Sequence, residues 1–226
     1  MDNLPKMTGT LLGVQTGRVQ QLTMPEHLCR DGRNPFWATG IYKDAAAGPL
    51  HVGTLGIEGD GQADLKNHGG PDNVVLAYDA AHYPGWRQEL NLPDLPFGAF
   101  GENFTVEGFT DETVCIGDIW RVGESLRLQI TQARMPCFKL ARRLRRPEIV
   151  KLVMERSRGG WYLRVLQEGP ATVGMNITLE ERIYPQWTAA RAIQTMYHRG
   201  VDQEKAAELA ALPELSARWK KELLVD

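Results

Sequence analysis

The stretch LRLQITQARMPCFKLARRL, residues 126–144, decides how the rest of the chain is read. Its first half alternates, with Leu126, Leu128 and Ile130 on one side and Arg127, Gln129 and Thr131 on the other. That period of two predicts a strand buried on one face. Pro136 should end the regular structure, and Cys137 follows it directly, with Arg134 before it and Lys139, Arg142 and Arg143 after it. Nearby positive charge favours the thiolate, the form of cysteine that attacks electrophiles or binds a metal. The plainer reading is a small buried hydrophobe. Spacing alone leaves both open.

Outward from this strand, LLGVQTGRVQQL, PLHVGTLGI, NVVLAYD, ENFTVEG, WYLRVLQEG and NITLEER also read as strands. Many short strands with little helix between them predict a mainly β, closed or nearly closed barrel with peripheral helices over residues 1–182. Two helices interrupt it: DAAHYPGWRQEL, with Asp79 as its N-cap, and RPEIVKLVMERS, with Pro147 at its first position. Residues 183–226 change character. Ala189, Ile193, Met196 and Tyr197 recur at helical spacing, Asp202 starts a second helix, and Pro213 starts a third that aligns Leu215, Trp219 and Leu223. A C-terminal three-helix module follows, whose plain role is packing or a dimer contact and whose sharper role is docking a partner.

Composition narrows the class. Hydrophobic residues make up 42% and charged residues 24%, the balance of an ordinary globular chain. A formal charge of -2 argues against a general nucleic-acid binder. No basic, then apolar, N-terminal stretch marks a secretory signal, and no run approaches the roughly 20 apolar residues of a membrane span. The expected location is the cytoplasm. Cys29, Cys115 and Cys137 form an odd set without a CxxC pair, which disfavours a disulfide framework and a zinc or iron–sulfur site. Cys115, in the apolar run VCIGDIW, reads as packing, and Cys29 as a loop thiol.

Two further segments could carry chemistry. GIEGDGQADLKNHGGPDNVVLAYD, residues 56–79, is rich in glycines that can aim main-chain N–H groups at an anion, with Lys66 and His68 as side-chain donors. It matches no nucleotide fingerprint, and a mobile surface loop has the same composition. PFGAFGENFTVEGF places Glu102 and Asn103 at a tight turn before a strand. Glu102 there is either a general acid or a solvated carboxylate.

Taken in order, GDGQADLKNHGGPDNVVLAYDAAHYPGW, FGENFTVEGFTDETVCIGDIWRVG and QARMPCFKL resemble the MOSC family, named for the C-terminal domain of molybdenum cofactor sulfurase. The subgroup these motifs resemble is YiiM-like, in which three helices follow the barrel. The resemblance covers nearly the whole chain. It implies a MOSC-type β-barrel that binds the molybdenum cofactor, a molybdenum–pterin (molybdopterin) dithiolene. It also implies Cys137 as the metal ligand, since a soft thiolate suits a metal already carrying sulfur donors. By the same carry-over Lys66, His68, Asn103 and Arg134 grip the cofactor, with Arg164 a further candidate.

The implied activity is an oxidoreductase that reduces N-hydroxylated compounds such as hydroxylaminopurines, a detoxification of damaged bases. His68 or Glu102 would deliver the proton, and a separate reductase would supply electrons, because no flavin or iron–sulfur signature is visible. Two other readings stand beside it: a molybdenum cofactor or sulfur carrier without turnover, and a metal-free binding module. Neither nucleic acid nor membrane is an expected partner. A homodimer is considered on general grounds, two-fold pairs being the commonest assemblies.

Overall fold

The computed structural model describes residues 7–25, 32–65 and 69–225. Thirteen strands and six α-helices are formed among these residues. Seven of the strands close the barrel: β1 (Thr8–Thr16), β7 (Val75–Asp79), β8 (Phe104–Glu107), β9 (Ile119–Val122), β10 (Leu126–Ala133), β11 (Trp161–Gln167) and β13 (Asn176–Glu181). They run in the order β13-β9-β10-β11-β7-β8-β1, and β1 returns to pair with β13. Closure removes the open edges that would template aggregation. Neighbours are antiparallel except β7 and β8, which pair in parallel with Ala77 opposite Phe104. Two small sheets flank the barrel. One joins β5 (Leu50–Gly53), β6 (Gly56–Ile57) and β12 (Gly169–Ala171), and the other is the hairpin of β2 (Gln20–Thr23) with β3 (Phe36–Thr39). The two-residue β4 (Asp44–Ala45) adds to the end of β1.

Strand β10 buries Leu126, Leu128 and Ile130 as its alternation predicts. Its other face is also buried from Gln129 onward. The C-terminal helices are α4 (Ala189–Tyr197), α5 (Gln203–Ala210) and α6 (Ala217–Leu223); α4 packs against β10, α5 against α4, and α6 against α5. Ser216 donates its backbone N–H to Thr131 O at 3.0 Å, and its hydroxyl bonds Gln132. Trp219 and Leu223 share the buried face of α6 and Leu215, just before the helix, is buried as well, while Tyr197 stays exposed. Asp202 caps α5 through Lys205 N as expected. The third helix starts later than Pro213, because Ser216 accepts the N–H of Trp219 and is its N-cap.

Two other helix starts differ from expectation. Asp79 ends β7 and accepts the N–H of Ala81 at 2.9 Å, so α1 (His82–Glu89) opens after that turn. Pro147 precedes α3 (Ile149–Glu155) by two residues, and Glu148 is the N-cap. A helix absent from the sequence reading, α2 (Phe138–Leu144), begins directly after Cys137. Its seven residues are too few for a clear period; Leu140 and Leu144 anchor it to a second core around Tyr78, Tyr83, Trp86 and Phe100. Tyr78 and Phe100 stack with ring centroids 4.6 Å apart, which fixes the Phe100 backbone beside the site.

Candidate functional site

The site forms where β11 pairs with β7, Tyr162 standing opposite Leu76, and where the parallel register brings Asn103 alongside. Arg134, immediately past β10, and Cys137, just before α2, also line it. A cleft open to solvent is walled by Arg134, Cys137, Lys139, Asn103, Asn73 and Tyr162. Loops carrying Lys43 and Asp60 complete it.

Arg134 is buried, and its Nη2 donates to Phe100 O at 3.1 Å. Among the described residues its Nη1 has no hydrogen-bond partner, and neither has the carbonyl oxygen of the Asn73 side chain, which is also buried in the cleft wall. Buried polar groups are normally satisfied, so this pair leaves a donor and an acceptor open to a ligand in the cleft. The Lys43 ammonium is nearly buried against Asp60. Burial lowers the lysine pKa, and Asp60 opposes that shift. Asp60 also accepts Gly17 N at 2.8 Å and Asn103 Nδ2 at 3.0 Å. Burial raises the Tyr162 phenol above its usual value, against the pull of the Arg134 guanidinium.

The sequence-named residues divide sharply. Cys137, Arg134 and Asn103 meet in the cleft. Asn103 does so as a strut: its Oδ1 accepts Leu76 N at 3.1 Å and its amide donates to Gln15 O at 3.2 Å, joining β7 to β1. Lys66 and His68 lie outside the described residues, as does Cys29. The glycine segment lends the cleft Asp60 and Gly61, but the Gly61 N–H is spent on Gly17 O.

Glu102 does not fit the role of proton donor. Its side chain is fully buried behind the cleft wall. It accepts the Tyr83 hydroxyl, Gly98 N at 2.6 Å, Phe100 N at 3.1 Å and Thr105 Oγ1 at 3.1 Å. Gly98 and Gly101 take φ of 86° and 84° so that the turn can fold around this carboxylate. Arg164 is likewise not in the cleft. It bonds Asp72 at 3.1 Å and Glu214 O at 2.7 Å, tying the helical module to the barrel. Cys115 is packing, as expected: it is buried, and burial first and Asp118 second push its thiol up to about 11.

Lys43, Asp60, Asn73 and Tyr162 were missed as individual residues. Asp60 and Asn73 lie within the glycine-rich segment already singled out, and Tyr162 neighbours Arg164 in WYLRVLQEG. Lys43 carried no local signal, since a lysine in a loop is ordinarily solvated.

The family model of the MOSC domain matches residues 64–178, and that of the YiiM-like, 3-alpha helix domain matches 187–224. The chain belongs to the MOSC domain family. It is 40% identical to the protein YflK of Bacillus subtilis over 88% of each chain. It is 35% identical over 93% of its length to a Gibberella moniliformis protein named Reductase, of which it spans 38%. Among solved structures, YiiM from Geobacillus stearothermophilus superposes with a TM-score of 0.76 at 29% identity, covering 96% of this chain and all of that one. Both the barrel and the three C-terminal helices of this MOSC chain thus have counterparts. Among the described residues, no helix is long and apolar enough to cross a membrane.

Proposed function

We propose that the chain is a molybdenum-cofactor oxidoreductase that reduces N-hydroxylated compounds with electrons from a separate reductase. One observation supports this most: a buried guanidinium nitrogen and amide oxygen, without partners among the described residues, share a cleft with a partly exposed cysteine. That donor set fits a pterin dithiolene. Cys137 would supply a soft thiolate for the metal, Arg134 and Lys139 positive charge for its anionic groups, and Asn73 an acceptor for an N–H. The relative named Reductase agrees with a redox role.

When bound, the cofactor supplies two-electron removal of oxygen from an N–OH group, so that R–NH–OH, two protons and two electrons give R–NH2 and water. The chain's own residues hold and orient. Asn103 and Asp60 brace the cleft wall, and Asp60 keeps the Lys43 ammonium in place. With Glu102 withdrawn, His68 remains the proton donor named from the sequence.

The test is molybdenum and pterin content of wild type, Cys137→Ser and Arg134→Met purified from a molybdate-rich host. Turnover of a hydroxylaminopurine with a chemical reductant follows. Expected are about one metal and one pterin per wild-type chain, loss of metal in Cys137→Ser, and loss of both in Arg134→Met. Substrate-dependent reoxidation of the reduced metal separates an enzyme from a carrier. A loaded protein inert toward every N-hydroxylated compound tried would refute the enzyme, and no metal or pterin in wild type would refute the cofactor as well.

A further inference from the structure

The helical module reaches the cleft through one residue, Asp72. Its Oδ2 accepts the N–H of Ala217, the first residue of α6, at 3.0 Å. Its Oδ1 pairs with Arg164 Nη2 at 3.1 Å, and the same nitrogen donates to Glu214 O at 2.7 Å. The Asp72 carbonyl accepts Thr131 Oγ1 of β10 at 2.7 Å. Both carboxylate oxygens and the backbone behind them are thus held by β10, β11 and the module.

Asp72 is the middle residue of a single 3-10 turn, Pro71–Asn73. The next residue is the Asn73 whose buried side-chain oxygen lacks a partner among the described residues. One turn therefore serves two places: Asn73 lines the cleft, and Asp72 meets the module. Gln62 donates to Asn73 O at 3.0 Å, and Val74 donates its N–H to Leu163 O at 3.1 Å. A three-residue turn pinned on both flanks has little slack, so a shift of Asp72 is passed to Asn73.

We propose that the helical module positions the cleft wall: α6 and Glu214 hold Asp72, and Asp72 sets where the Asn73 oxygen stands. Asp72 is a positioning residue, and Asn73 is the contact it sets. Resting on the reading that the cleft takes the pterin, filling the cleft and docking α6 then stabilise each other by the same factor in both directions.

Amide exchange followed by NMR is compared between the full chain loaded in a molybdate-rich host and the chain from a host unable to make the pterin. In wild type the Trp219 and Lys220 amides of α6 should open about fivefold less often when loaded, the low end of ordinary coupling between sites. Ala217→Pro removes the N–H that Asp72 accepts and little else. Proline suits the first helical position, Ser216 at φ -56°, ψ 142° already has the backbone that precedes a proline, and Ala217 is exposed. The variant should melt within about 4 °C of wild type, hold about fivefold less pterin, and show the same α6 exchange loaded or empty. Asp202→Ala removes the α5 cap without touching the partners of Asp72. It should lower the melting temperature to a similar degree and keep wild-type pterin content, which a general loss of stability could not do. Equal α6 exchange in loaded and empty wild type, or pterin content that follows melting temperature in both variants, would overturn the proposal and leave the cofactor reading standing. If wild type holds no pterin, the cofactor reading falls and the positioning role is read in the empty protein. There Ala217→Pro should still speed exchange of the Val74 amide, and unchanged exchange would overturn the positioning role as well.

Discussion

Replacing Glu102 with glutamine separates a catalytic acid from a structural carboxylate. Glu102 Oε1 accepts Tyr83, Gly98 N and Thr105, and Oε2 accepts Phe100 N. An amide can keep only one of those faces. In its best orientation the glutamine carbonyl takes the three donors and its NH2 confronts the Phe100 N–H. That leaves one buried donor unpaired, at about 1–3 kcal/mol, and weakens the other contacts by removing the charge. Relief from burying a charge offsets part of the loss. About 3 kcal/mol of destabilisation remains, or roughly 6–12 °C in melting temperature for a chain of this size. Urea unfolding followed by tryptophan fluorescence, with calorimetry alongside, reads this directly. Residual turnover per folded, loaded molecule should stay near that of wild type. A variant of wild-type stability that has lost turnover would restore Glu102 as the proton donor and refute the structural assignment.

Arg134→Met should lower pterin retention by at least tenfold with a small effect on melting, measured by pterin fluorescence after gel filtration. Asp118→Asn should cost about 3 kcal/mol in urea unfolding, because it strands Arg182 beside a fully buried partner that now grips it at 2.6 and 2.9 Å. Burial, the largest cause, raises the Asp79 pKa above 3.8. The stability tied to that shift is therefore complete below 3.8 and lost as pH rises through the folded-state value. Relative to Asp79→Asn, wild type should gain stability between pH 7 and pH 4, and a difference that shrinks over that range would contradict the assignment. Arg164→Met should loosen the helical module, seen as faster amide exchange in α6 with the barrel strands unchanged.

Much of this protein was legible in local pattern. Alternation in LRLQITQA set the inner face of β10, Asp202 announced its helix, and the order of three motifs marked the family. Those features depend on neighbours within a few residues, where backbone geometry and side-chain period act. The proximity of Arg134 to Cys137 was visible for the same reason. What only the tertiary structure decided were questions of burial and pairing. The second face of β10 is buried and α4 packs against the strand, which its own sequence cannot reveal. Glu102 turns inward because two glycine turns and Tyr83 supply its donors, and Arg164 serves the domain contact because Asp72 and Glu214 meet it there. Lys43, Asn73 and Tyr162 join the cleft through barrel closure and strand register. The chemistry of a side chain is set by the groups that surround it, and in a closed barrel those groups come from distant parts of the chain.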